Sequence, residues 1–393
     1  MIAAACLMGA ALFSPPKEAL SQVRNHYFRT LARDTWLSAA EMVEPATGIP
    51  YDSTDKGEFT SVSNIGIYLT CIVSAESLGF ISSAEAERRA GQTLSSLAKL
   101  RTQFGFNQCW NGVKTLEPGK NDPWISVLDS GNLIAGLITL AEAYPALRLK
   151  SMALVEKHDW NQFYDPSQKA LLGGWSFEAK EFNRKWHLDT LGTDAALAQF
   201  FAVASGAAPP DFWRRLNRRK VIWEGQEMLW PGWEGGGLFM QFISGLWLPL
   251  KGTELGVSAE GFAKAQANHA KSIGSPVWGW SACSSPEGGY LGWGALKDEV
   301  VTPHACVLAV DLMPQAVYEN LIKLEDLGAR SPKLGFYDSV DWKTRAVCRK
   351  MLILDQGMIL ISLASHLKDG VIRKRFVKSG LVHKGLKQTG IGG

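Results

Sequence analysis

The stretch WISVLDSGNLIAGLITLAEA, residues 124–143, decides how the rest of the chain is read. Its apolar positions Leu133, Ile134, Leu137, Ile138, Leu140 and Ala141 recur at helical spacing. A carboxylate, Asp129, stands between the apolar run ISVL and the helix itself. An Asp in that place either caps the helix by accepting backbone N–H bonds or points into a cavity where a carboxylate has chemistry to do.

Working outward, the helical pattern repeats along the chain. It predicts helices over 17–43, 62–79, 82–103, 130–144, 147–160, 190–205, 209–217, 236–248, 257–272, 303–311, 313–327 and 355–368. Convincing strands are few, with GGWSF and VWGWSAC as short extended pieces. No solenoid-type repeat and no Pro/Ser-rich linker interrupts the series. About twelve helices in one unit match an all-α (α/α)6 barrel, six hairpins closed into a toroid over residues 17–370. Its long loops (105–129, 164–189, 222–236, 274–302 and 331–354) are rich in Gly, Trp and acids, and they would form a cleft at one end.

Composition narrows the function. The 393 residues carry 41 basic and 38 acidic side chains, a balance that argues against nucleic acid as partner. The basic excess sits in the tail 371–393, which reads as a solvated end. Fifteen tryptophans, many in Gly-rich loops, suit sugar rings, whose apolar C–H faces stack on aromatic planes, and they equally suit a large core. The six cysteines form no CxxC pair, and Cys71 and Cys306 read as buried small hydrophobes. Residues 1–16 resemble the apolar core of a secretion signal without its preceding basic residues, so the chain reads as periplasmic or secreted with the cytoplasm left open. No run of 18 apolar residues predicts a membrane span. P-loop, dinucleotide, HExxH and GxSxG signatures are absent, and no cofactor or metal is expected.

Glycosidic cleavage needs two carboxyl groups, one to protonate the leaving oxygen and one to activate water or attack. Acids at loop–helix junctions with apolar neighbours are the candidates, because desolvation raises their pKa. Asp129, Asp194 and Asp355 fit this description as catalytic residues, with N-capping of the following helix the competing reading of Asp194. Asp189, Glu287 and Asp338 are loop acids expected to bind substrate. Trp233, Trp280 and Tyr290 are the expected stacking surfaces. His187 and His304 read as polar lining.

Seven segments in order resemble the glucoamylase-like family of bacterial glycosidases, which includes endo-β-1,2-glucanases and the central domain of cyclic β-1,2-glucan synthases. They are TWLSAAEMVEPATGIPYD, TSVSNIGIYLTCIVSAESLGFIS, ISVLDSGNLIAGL, FYDPSQKALLGGWSF, LDTLGTDAALAQFFAVASG, LGFYDSVDW and LDQGMILISLASHL, covering roughly residues 30–370. The resemblance implies an (α/α)6 barrel acting on β-1,2-linked glucose chains. It places Asp129 at an acidic cleft position, Asp194 where relatives carry a catalytic Glu, and Asp355 on the acid of the DQG motif. Met240 and Ala282 stand where the synthase-like relatives carry Glu, so the hydrolase side of the family fits better. The leading expectation is a glycoside hydrolase for a β-glucan. The alternative is a carbohydrate-binding or glucan-assembly protein that has lost catalysis, motivated by the shorter Asp194.

Overall fold

Why a chain so rich in apolar helices folds into one body follows from which helices are apolar all round. The computed structural model describes residues 17–119, 123–230, 236–292 and 299–392. In α2 (Val62–Ser77) every residue from Val62 to Ala75 is buried, whereas the next helix, α3 (Ser83–Leu97), buries a single stripe built on Ala86, Ala90, Leu94 and Leu97. A helix buried on every side must lie inside, and an amphipathic one must cover it. The alternation continues. Inside lie α4 (Val127–Ala143), α6 (Ala196–Ser205), α10 (Pro303–Leu308) and α12 (Ile353–Leu367), joined by the short, half-buried α8 (Phe239–Phe242) with its 3₁₀ extension Ile243–Leu246. Outside lie α1 (Lys17–Glu41), α5 (Pro145–Glu156), α7 (Pro210–Arg215), α9 (Glu254–Ser272) and α11 (Pro314–Asp326).

Around the interior, α2 packs on α4, α4 on α6, α8 on α10, α10 on α12, and α12 back on α2. The outer helices cover them in turn, with α1 on α12, α3 on α2, α5 on α4, α7 on α6, α9 on α8 and α11 on α10. One large hydrophobic cluster runs from Phe28 to Ile391, and Ala39, Met42 and Ile353 form a small second one. The inner helices approach closely through glycine: a Cβ on Gly136 would lie 2.2 Å from the Gly66 carbonyl oxygen, and one on Gly131 would lie 2.7 Å from Ala198 N.

The loops entering the inner helices are stitched to one another by main-chain bonds. Val62 N donates to Cys109 O, Cys109 N to Trp124 O, and Val127 N to Gly173 O. Leu191 N then reaches Asn217 O, Leu238 N reaches Trp280 O, and Thr302 N reaches Gly279 O. Val301 pairs with Val340, Asp338 N donates to Lys350 O, and Ile353 N returns to Asp52 O. The N-terminal ends of the inner helices therefore share one rim. Sequence periodicity does not reveal this stitching, because the loops contribute many two- to four-residue strands where few strands were expected.

The tail is a correction. Of the tail 371–393, residues 371–392 do not form a solvated end: α13 (Val371–Phe376) packs on α2, α4 and α12, and α14 (Gly380–Thr389) packs on α6 and α7. Ile372, Phe376 and Val382 are fully buried. The arginines between them are half-buried and paired: Arg375 with Glu76 at 3.3 Å and Arg373 with Asp311 at 2.5 Å. Because α13 follows the C-terminal end of α12, the tail closes the end opposite the rim. Residues 1–16 lie outside the described residues.

Candidate active site

Asp129 occupies the first turn of α4, but it does not cap that helix. Ser126 Oγ accepts the Asp129 N–H at 3.2 Å and is the cap. The Asp129 carboxyl is left to accept from Cys109 Sγ at 3.5 Å and to face Asp194. Asp194 stands just ahead of α6, after a turn that Gly192 permits with φ +88°. It caps nothing either: the Ala195 N–H is taken by Thr193 Oγ1 at 3.3 Å, and α6 has no side-chain cap. Burial, and after it the charge of Asp129, pushes the Asp194 pKa from 3.8 up to about 7. Asp194 therefore holds a proton through much of the neutral range.

Asp355 forms a second group on the same rim. It lies in the first turn of α12, 4% exposed, with His304 Nδ1 3.1 Å from its Oδ2. Its pKa is raised to about 7 by burial, opposed by a hydrogen bond from Asp338 and reinforced by the charge of Asp52. Asp338 is 1% exposed and accepts the Ser284 N–H at 2.5 Å. Burial and then the Asp355 charge lift Asp338 well above the carboxylate range. Burial also raises Asp52, whose Oδ1 accepts from Asn64 Nδ2 at 2.8 Å. His304 shares a 2.8 Å hydrogen bond with Thr302 Oγ1, and burial lowers its pKa to about 4. It is neutral at pH 7.

The three acids expected to be catalytic thus fall into two groups, Asp129 with Asp194 and Asp355 with Asp338. Asp338 is a buried partner of Asp355 rather than an open loop acid. Asp189 is exposed at the rim, accepting from Thr190 Oγ1 at 3.1 Å, and Glu287 is exposed at the tip of the 284–290 hairpin. Tyr290, 60% exposed, pairs in register with Ser284; burial of its phenol end and the charges of Asp355 and Asp338 raise its pKa. Trp280 departs from expectation. It is 1% exposed, bonded through its backbone to the Gln266 amide at 2.8 Å, and packed edge-on to His269. A ring enclosed in this way offers no face to a sugar. Trp233 lies outside the described residues.

Sequence reasoning did not single out Asp52, Asn64 or the role of His304. Asp52 closes the segment TGIPYD, and its position after an apolar run was the signal available. Trp124 and Trp186, partly buried with ring centroids 5.3 Å apart, stand over Gly174 and Gly173 beside the entry to α4. Among the described residues no group of three His, Cys, Asp or Glu is placed to hold a metal ion.

A rim of helix N-termini lined by two acid groups is an arrangement suited to a polysaccharide-cleaving toroid. Residues 190–380 match the model of the family described as "Putative glucoamylase", and residues 30–185 match one described as a protein of unknown function. The chain is similar to the cyclic β-(1,2)-glucan synthase of Rhizobium meliloti, 25% identical over 298 residues, which is 67% of this chain and 10% of that protein. It spans about a tenth of the length of that curated relative. Among solved structures, the endo-β-1,2-glucanase of Chitinophaga pinensis, in complex with sophorotriose and glucose, superposes with a TM-score of 0.83 at 17% identity, covering 93% of this chain and 98% of that one. The β-1,2-glucanase of Parabacteroides distasonis gives 0.84 at 15% identity, over 93% and 60%. The fold is that of these glucanases, and the chain resembles the glucoamylase-like family its motifs suggested.

Proposed function

We propose that this protein is a glycoside hydrolase on an (α/α)6 barrel that cleaves β-glucan, with β-1,2-linked chains as substrate. The observation that carries this reading is Asp194, a buried carboxyl that faces Asp129 at the rim and, with its pKa raised to about 7, keeps its proton in about half of the molecules at neutrality. A raised acid of this kind protonates the departing glycosidic oxygen. Asp355, whose pKa of about 7 leaves half of it ionised at neutrality, takes a proton from the water that attacks the anomeric carbon. Asp129 stays beside Asp194 and supplies the negative charge that helps hold its proton. The inner helices, which pack in series from α8 through α10, α12, α2 and α4 to α6, support the barrel. Met240 and Ala282 carry no carboxyl, which favours direct displacement by water, with inversion, over a covalent intermediate.

Asp194→Asn tests the assignment. The amide keeps the size and loses the transferable proton, so kcat on β-1,2-glucan should fall by about 100-fold or more while oligosaccharide binding is retained and the melting temperature is no lower than that of wild type. Activity within a few-fold of wild type would remove Asp194 from the chemistry. Binding without turnover in the unmutated protein would favour the carbohydrate-binding alternative.

A further inference from the structure

Asp338 and Asp355 reach each other from different elements, the one preceding the strand Ser339–Asp341 and the other in the first turn of α12. Both are buried, and their carboxyls are hydrogen-bonded to each other. Two bare carboxylates repel, so such a bond requires a proton between them. One Asp338 oxygen, Oδ2, accepts the Ser284 N–H, while Oδ1 is buried and meets no other donor among the described residues.

Among the described residues no cation is placed to hold the pair as two anions. His304 faces Asp355 at 3.1 Å but is neutral at pH 7. Lys350, the cation whose charge reaches Asp338 and Asp52, is engaged with Asp55 at 2.6 Å. The other groups facing the pair are Asp52, Tyr290, Cys283 and Cys348, which add negative charge or none. The α12 N-terminus decides which partner keeps the charge, since its free N–H groups favour an anion in the first turn, where Asp355 sits.

We propose that Asp338 is the positioning residue of the hydrolytic base: it keeps its proton throughout the working pH range and donates it as a fixed hydrogen bond to Asp355, which is thereby oriented and left ionised to activate water. This rests on Asp355 being the base. In the step, water loses a proton to Asp355 as its oxygen bonds to the anomeric carbon, and Asp194 delivers a proton to the leaving oxygen. The Asp338 proton stays where it is. One water is consumed per bond cleaved.

Asn is the discriminating substitution, because its carbonyl can accept from Ser284 while its amide donates to Asp355. In Asp338→Asn, kcat should stay within about tenfold of wild type, with the acid limb of the pH–rate profile in place. Asp338→Ala should move that limb to higher pH, since Asp355 loses the bond that stabilises its charge. An Asp338→Asn protein as inactive as Asp355→Asn would overturn the proposal, because the charge of Asp338 would then be required. Infrared difference spectroscopy judges the pair without substrate. At about pH 9, where Asp194 and Asp355 are ionised, wild type should show a protonated carboxyl band that Asp338→Asn removes. Absence of that band from wild type also overturns the proposal. Wild type that hydrolyses no glucan counts against the base assignment alone, and the band still reports on the pair.

Discussion

At Asp129 the cap is already supplied by Ser126, which leaves the carboxyl free to face Asp194. The sequence shows an acid between an apolar run and a helix, but cap and cleft residue look identical there, because they differ only in which neighbour accepts one N–H. The pH behaviour follows from the two raised acids. Activity should peak near pH 7, falling above it as Asp194 loses its proton and below it as Asp355 gains one. A profile flat from about pH 5 to 9 would contradict these assignments. Stability carries the same sign. A folded-state pKa raised above 3.8 stabilises the fold fully below that value, and the contribution is lost as pH rises to about 7. Asp194→Asn should therefore melt above wild type at alkaline pH and level with it in acid. The aromatics separate in a similar way. Trp280→Ala should cost about 3–5 kcal/mol of stability, because it empties a buried site. Tyr290→Ala should leave melting unchanged and weaken oligosaccharide binding about tenfold or less. Trp280 was misread for a physical reason: a Gly-rich setting suggests an exposed loop, yet Gln266 satisfies its backbone and lets the ring turn inward.

Between residues and ring stand the inner helices. Their order and approximate limits were legible, because runs such as ILISLASHL declare burial on all sides. Their starts were less so: α4 begins at Val127, three residues ahead of the periodic pattern, because the cap is Ser126. The α2–α4 crossing shows why GLI and NIGIY carry glycine where the spacing alone would accept any small residue. A methyl on Gly136 would meet the α2 backbone at 2.2 Å, and backbone cannot swing aside as a side chain can. Gly136→Ala should lower stability by about 1–3 kcal/mol, read as a drop in melting temperature. Because α2 and α4 carry Asn64 and Asp129, the same substitution should reduce kcat. Unchanged melting would mean the crossing has slack that the packing does not show.

Across the whole molecule, the sequence conveyed twelve of the fourteen described helices and the acid-bearing junctions, whereas the last two helices and the pairing of those acids lay beyond it. Asp338 with Asp355, and Asp129 with Asp194, are brought together by the packing of the inner helices and the stitching of their rim loops. The tail was misread because net charge hid the apolar spacing of Ile372, Phe376 and Val382, which seals the end away from the rim. What the ring does with its acids is settled by one measurement: reducing-end release by the purified protein from β-1,2-, β-1,3- and β-1,4-linked glucans, with Asp194→Asn run alongside. Release from β-1,2-glucan alone, lost in the variant, is the result expected. No release from any glucan, or equal release by the variant, would contradict the account.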